Sequence, residues 1–353
     1  MKLPLYVLRT VATRVLGAIL ILMAILQILD LLEVTTDILD RGLGVAGVFY
    51  YAALRAPRLF EQVAPLGVLA GGLFAFSQLA RENAVVAMRA SGISGYRIVL
   101  MAVPVAIAVL SLDALCAQVI SPRTDPTLSA WWAATTPVAE RKPPTARTFR
   151  AGEDLVTAKE ALADGAELRD LTIYRRDKSG ALTERVVAPV ASFQKGAWRL
   201  EKPVTTRFIG DRVEPMVAAS ATWPTALRPA DVQALFADAP APSAASARRA
   251  LENGGSDRPQ SFYATRLQTA FSGPLAALVM LLLSAPVAWA NFRSGQGAIL
   301  LTSGLAAGLV YLVADGLLSA LGESGSLSPI LAAWAAPAVF AALAVRAFVS
   351  LEG

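Results

Sequence analysis

The residues in this chain that could do chemistry are carboxylates and arginines, because the usual nucleophile and base pairings are missing. The 353-residue sequence contains no histidine and a single cysteine, Cys116, set in an apolar run. Without histidine, the commonest general base and metal ligand are gone, so triad hydrolysis and zinc chemistry are not expected. Cys116 has no partner for an intrachain disulfide and reads as a small buried hydrophobe. No stretch has the form GxxxxGK[ST], so nucleotide hydrolysis by a phosphate-binding loop is not expected, nor is any cofactor or metal.

Three polar features remain. Asp113 and Asp315 each interrupt an apolar run, where a carboxylate acts as a proton or ion relay or else sits at the wet end of a helix. The second reading is preferred, since both lie near the outer ends of their helices. Glu33, Asp37 and Asp40 crowd together near Arg41, with Arg55 and Arg58 close behind. The stretch Arg81 to Arg97, RENAVVAMRASGISGYR, is polar at its ends, apolar in its middle and broken by Gly92 and Gly95. That pattern fits a short amphipathic helix under a membrane, either as a plain connector or as a lever for a partner.

The elements that must position these residues follow from hydropathy. Hydrophobic residues make up 55% of the chain and charged ones 17%, far from the balance of a soluble domain. Nearly two-thirds of the charges fall between Arg123 and Arg266. A soluble domain between two membrane blocks results, with expected divisions at 1–122, 123–266 and 267–353. Spans of about 20 apolar residues are needed to cross the hydrocarbon core. Six are found: Val11 to Thr36, Gln62 to Ala80, Ile98 to Pro122, Leu267 to Phe292, Ser294 to Ala314 and Ser324 to Val345. The second is rich in small residues (Gly67, Gly71, Gly72) and should pack closely, with a kink at Pro65. The Gly304 to Gly308 spacing likewise marks packing. The first run lacks a small-residue cleavage pattern and reads as a retained helix.

An even number of spans puts both termini on one side. That side carries Lys2, Arg9, Arg14, Arg81, Arg89, Arg97, Arg293 and Arg346, whereas Arg41, Arg55 and Arg58 lie on the other among Asp30, Glu33, Asp37 and Asp40. Basic residues mark the cytoplasmic side, so the termini are expected there and the charged domain outside. The basic residues do not run together, so nucleic-acid binding is not expected.

The outer region reads as β. Leu168 to Tyr174 and Leu182 to Phe193 are rich in β-branched and aromatic residues, with Lys178-Ser179-Gly180 as the turn between them. Gln194-Lys195-Gly196 leads into a third strand, Trp198 to Phe208. Short strands with tight turns predict a meander, sandwich or jelly roll. From Arg228 to Gln260 the composition turns to Ala, Pro and Ser. Short helices are preferred over a flexible linker there, one starting at Pro229 and one capped by Ser243 and ending at Gly254-Gly255.

The amphipathic stretch resembles the cytoplasmic segment of the LptF/LptG permease family, whose pattern is close to SELxxxxAxGxS. Here it reads Asn83-Ala84-Val85, then Ala90, Gly92 and Ser94. Further similarity lies in Pro57 and Pro65 before the Gly-rich span and in Pro122 at the end of the third. It continues in PLAALVMLLLSAP from Pro274, Arg293 and Gly295, GLVYLVADGLLSALG from Gly308 and LSPILAAWAAP from Leu327. LTIYRRDKSGALTERVVAP and WRLEKP resemble the family's periplasmic jelly roll. The likeness covers essentially the whole chain, and its length and opening segment favour the LptG branch.

The resemblance implies an α-helical inner-membrane protein with six transmembrane helices and an inserted periplasmic β-jelly-roll domain. With lipid as its cargo, that domain would carry an apolar groove reached by inward strand positions such as Ile173. It implies a half-permease without catalysis of its own, pairing with an LptF-like subunit around a cavity for lipopolysaccharide. An LptB-like ATPase dimer would dock on Asn83, Val85, Met88, Arg89, Ala90 and Gly92, and an LptC-like protein would take the lipid onward. Two departures stand out. The family's acidic docking residue falls at Ala84, Glu82 lies on the far helix face, and docking would then rest on Val85 and Met88 filling a groove. Acids replace the family's lysines near the end of the first span, so Arg41, Arg55 and Arg58, with Asp315 at the exit of the fifth span, become the candidates to meet the lipid. Ordinary snorkelling toward head groups is the plainer role for these arginines. A proton-coupled secondary transporter using Asp113 or Asp315, and an ATPase-driven regulator of a periplasmic partner, are the rival classes. No internal repeat supports the first.

Overall fold

The computed structural model describes residues 2–137, 145–177, 181–209, 212–236, 242–289 and 296–352. The expected turn at Lys178-Ser179-Gly180, and Arg293 and Gly295, lie outside the described residues. The chain divides into two compact units, Met1–Leu128 with Gln268–Gly353, and Ser129–Leu267.

The first unit is helical. Helices α1 (Lys2–Asp40), α2 (Gly44–Arg81), α3 (Ala84–Ala90), α4 (Gly95–Leu115) and α5 (Ser121–Thr135) are followed, after the β region, by α8 (Gln260–Ser272), α9 (Ala276–Ser284), α10 (Gln296–Glu323) and α11 (Pro329–Glu352). Six helical stretches are long and apolar enough to cross a membrane, several of them well beyond the minimum. The helix of α2 runs unbroken through Pro57 and Pro65.

Small residues let these helices touch, which matters because lipid tails compete equally for apolar side chains. A Cβ on Gly71 would lie 2.3 Å from the Val15 Cα, and one on Gly67 2.4 Å from the Ile19 Cγ1. On another face of α2, Gly72 admits Ser284, whose hydroxyl donates to the Leu281 carbonyl at 2.7 Å. Gly304 and Gly308 receive Leu73 and Leu69, so that spacing is indeed a packing device. Val7, Val11, Val15 and Ile19, one per turn, form the buried stripe of α1.

The third span does not end at Pro122. The helix passes through it by way of a π-turn at Cys116–Ile120 and continues to Thr135. Proline has no N–H and crowds the carbonyl four residues back, so the widened turn before it lets the helix continue.

The second unit is a ten-stranded antiparallel sheet ordered β10-β1-β2-β4-β5-β6-β9, with β3 on β4 and the β7–β8 hairpin on β5. The strands are β1 (Arg147–Ala151), β2 (Asp154–Ala158), β3 (Glu160–Leu162), β4 (Glu167–Arg176), β5 (Leu182–Gln194), β6 (Ala197–Glu201), β7 (Val204–Ile209), β8 (Arg212–Val217), β9 (Ser220–Trp223) and β10 (Gly255–Ser256). Lys195 and Gly196 both have positive φ, 50° and 85°, which is the two-residue hairpin turn that matches strand twist. The expected single strand from Trp198 to Phe208 is two strands. Pro203 follows Lys202, whose φ of 45° turns the chain, so β6 and β7 pair with different halves of β5.

Trp198 and Trp223 face each other across β6 and β9, and the Trp198 indole donates to the Leu227 carbonyl at 2.9 Å. Ile173 is fully buried in this core with Val156, Leu171 and Val186. It fills the interior rather than lining an open groove, because β2, β4 and β5 bring their apolar faces together there. The Ala/Pro/Ser region holds α6 (Pro229–Phe236) and α7 (Ala244–Asn253), the latter capped by the Ser243 hydroxyl and ended by left-handed Gly254.

Candidate functional site

The segment between α2 and α4 is a short helix fixed at both ends by left-handed residues. Asn83 precedes α3 with φ 53°, and Gly92 follows it with φ 86°. The Gly92 N–H donates to the Arg89 carbonyl and the Ile93 N–H to the Met88 carbonyl, a Schellman stop that needs glycine at its pivot. Ile93 and Met88 also touch the same apolar core, as that motif favours. The position of Gly92 in the sequence thus has a backbone reason.

Side-chain directions in α3 differ from expectation. Val85 and Met88 are both only 3% exposed and pack into the helical core. They cannot fill a partner's groove. The residues turned outward are Val86, 64% exposed, with Arg89 and Ala90 one turn on. Adjacent residues are 100° apart on a helix, so Val85 and Val86 cannot share a face, and the i, i+3 pair Val85/Met88 is the one that anchors. Glu82 caps the end of α2, accepting hydrogen bonds from the Gln78 amide at 2.9 Å and the Tyr6 hydroxyl at 2.7 Å. Those two donors, Gln78 first, hold its carboxyl below the usual glutamate range.

A second polar group sits at the opposite end of the α1–α2 hairpin. Arg55 pairs with Asp30 at 3.2 Å and Arg58 with Glu61 at 3.1 Å. The Ser121 hydroxyl donates to the other oxygen of Glu61, tying α2 to α5 just past the π-turn. Asp113 is 9% exposed, and its Oδ1 has no hydrogen-bond partner. It is therefore enclosed by protein, not set in water at a helix end, because α4 continues past it into α5. Asp315 is half-buried on α10, one turn beyond the buried Tyr311. Arg41 lies in the turn after α1, its N–H donating to the Asp37 carbonyl at 3.1 Å. Among the described residues no group of three or more His, Cys, Asp or Glu side chains could hold a metal ion.

Residues 5–350 match the family model described as lipopolysaccharide export system permease LptF/LptG. The chain belongs to this family. It is 21% identical over 352 residues to the lipopolysaccharide export system permease protein LptG of Escherichia coli strain K12, covering 93% of this chain and 92% of that protein. The LptG protein of Escherichia coli O6:H1 strain CFT073 gives the same figures.

Set in an LptF/LptG chain, the residues singled out from the sequence divide into three places. Asn83, Val85, Met88, Arg89, Ala90 and Gly92 come together in and around α3, but as bracket, anchor and outward face. Arg55 and Arg58 are close to each other on α2, each held by a carboxylate of the chain itself. Asp315 belongs to a separate helix. Sequence reasoning missed Val86, Glu61, Ser121, Tyr6 and Gln78. Reading Val85 and Met88, three residues apart, as one inward face would have left Val86 outward. No local pattern signals the Glu61–Ser121 link, which joins residues 60 apart.

Proposed function

We propose that this chain is the LptG-like half-permease of an ATP-driven exporter that lifts lipopolysaccharide from the inner membrane toward a periplasmic bridge. The observation that carries this reading is the family match across residues 5–350, which takes in both membrane blocks, α3 and the β domain. The full-length similarity to proteins named LptG supports a lipopolysaccharide export permease. The distribution of basic residues supports cytoplasmic termini and a periplasmic β domain. An LptF-like subunit would complete the cavity, an LptB-like ATPase dimer would supply the energy, and an LptC-like protein would receive the lipid.

In this reading the ATPase meets α3 through Val86, Arg89 and Ala90, while Val85 and Met88 transmit its movement to the core. Direct lipid contact by Arg55 and Arg58 would require displacing Asp30 and Glu61; Arg55 instead ties α2 to α1, and Arg58 holds the Glu61 carboxylate that meets Ser121. Asp315 remains a candidate to face the lipid.

The test is a pair of substitutions in the complex co-expressed with its neighbours. Val86→Asp should leave thermal stability within about 0.5 kcal/mol, as exposed substitutions do. It should at the same time lower lipid-stimulated ATP hydrolysis by an order of magnitude or more. Met88→Asp should unfold the local structure, costing about 3 kcal/mol or more for a charge placed in an apolar core. Normal coupled transport by Val86→Asp would remove α3 as the docking element. Failure to recover either an ATPase or lipopolysaccharide with the parent complex would remove the export reading itself.

A further inference from the structure

A polar groove of about 450 Å³ lies along the N-terminal part of α1, lined by Tyr6, Arg9, Thr10, Thr13, Arg14 and, from α2, Gln78. Its side chains are arranged rather than scattered. Arg14 donates through Nε to the Gln78 Oε1 at 3.0 Å, Gln78 donates to Glu82 at 2.9 Å, and Tyr6 donates to Glu82 at 2.7 Å. This relay fixes the Arg14 stem through one nitrogen and leaves its two terminal nitrogens for something else. Arg9 forms no ion pair with any described residue, and neither does Arg14. Glu82 is within Coulombic reach of Arg14 but spends its oxygens on Gln78 and Tyr6. The Thr13 hydroxyl is spent on the Arg9 and Thr10 carbonyls, so what the groove offers is two guanidiniums with no carboxylate bound to them, a donor set that suits phosphate oxygens.

What lies beside the groove narrows the source of that phosphate. The charge-free run of α1 begins at Val15, immediately after Arg14. Leu16 and Leu20, 58% and 55% exposed, turn apolar surface outward one and two turns beyond Thr13. On α2, Phe74, 65% exposed, stands one turn before Gln78. Guanidinium groups followed directly by exposed aliphatic surface match an amphiphile with its phosphate in the groove and its acyl chains along the helices. We propose that this groove is a binding site for the phosphate head group of an anionic bilayer phospholipid, distinct from the cavity that would carry export cargo.

The experiment uses the full chain in a zwitterionic detergent and measures binding of phosphatidylglycerol by native mass spectrometry and by shift of the thermal midpoint. Inorganic phosphate and phosphatidylcholine serve as comparison ligands. The parent should bind one phosphatidylglycerol in preference to phosphatidylcholine, and Arg9→Gln should weaken that binding by about ten-fold. Arg9 makes no contact that the fold relies on, so this variant should fold like the parent. Arg14→Gln added to it should abolish the preference. Arg97→Gln removes the same charge from an exposed site at the start of α4 and should leave lipid binding unchanged. Parent-like phosphatidylglycerol binding by Arg9→Gln/Arg14→Gln would overturn the proposal. So would equal weakening by Arg97→Gln, since that would mean general charge attraction. Stabilisation by inorganic phosphate without phosphatidylglycerol binding would also overturn it, by assigning the groove to a free anion.

Discussion

The two ends of the α1–α2 hairpin carry similar residue types and treat them in opposite ways. At the loop end, Arg55 and Arg58 are matched one for one by Asp30 and Glu61, and Ser121 adds a third strap. At the end bearing the N-terminus, Glu82 is tied down by two neutral donors, Tyr6 and Gln78, and the guanidiniums of Arg9 and Arg14 have no carboxylate bound to them. Basic residues at a membrane margin are thus not equivalent. Those already paired inside the protein stabilise a helix contact, and those left open are available to a ligand. Between the two ends, Gly67 and Gly71 bring the helices to touching distance, so the hairpin is a rigid strut with a closed polar end and an open one.

Breaking the closed end should have the largest effect. Arg58 and Glu61 side chains are 21% and 13% exposed, which makes this a mostly buried pair. Glu61→Ala would take away the carboxylate that Arg58 bonds, leaving it the Coulombic attraction of Asp125, and would leave Ser121 without this acceptor, at a cost of about 2–3 kcal/mol. Thermal unfolding of the purified chain checks this. Glu61→Gln, which keeps an acceptor for Ser121, should lose less. A Glu61→Ala variant as stable as the parent would show that the closed end is no strap at all.

The middle of the strut comes next. Gly71→Ala would push a methyl group against the Val15 backbone, which cannot rotate away as a side chain can. Separating the helices should cost about 1–3 kcal/mol. Gly308→Ala meets only the tip of Leu69, a flexible side chain, and should cost less. Equal melting temperatures for the two variants would mean that the α1–α2 contact yields as easily as the α2–α10 one.

What the sequence made legible follows the range of the forces involved. Spans were readable because hydropathy is a local property, and each of the six expected runs lies within or overlaps an observed helix. The Lys195-Gly196 turn and the Ser243 and Gly254 caps were readable for the same reason, since each depends on two or three neighbouring residues. The π-turn was not, because Pro122 looks like a stop unless the helix beyond it is known to continue. The site was read least well. The location of α3 was evident from its composition and from Gly92, but its inward and outward faces were exchanged because the core it packs against comes from distant helices. Arg55 and Arg58 looked like open cations because their partners are 25 residues away in one case and one helical turn away in the other. Spacing alone does not say which of several nearby carboxylates an arginine will choose.

The smallest expected effect concerns the open end and its acid sensitivity. Glu82 is held below the usual glutamate range by hydrogen bonds from Gln78 and Tyr6, and both bonds favour the ionised form. A carboxylate whose folded-state value is depressed contributes its stability above the unfolded value and loses it as pH falls through the folded one. The link between the start of α1 and the end of α2 should therefore be fully present at neutral pH and fade only in acid, below the range where free glutamates protonate. Glu82→Gln retains the shape but removes the charge, so the parent should melt slightly higher than this variant at neutral pH. The gap should close as the pH is lowered past the usual glutamate range. Because Glu82 is exposed, the gap should also shrink with added salt. Melting curves of both proteins across an acid series measure it directly. A gap that stays constant down to strongly acidic pH would mean that Glu82 acts by shape alone, and the open end would then owe nothing to its charge.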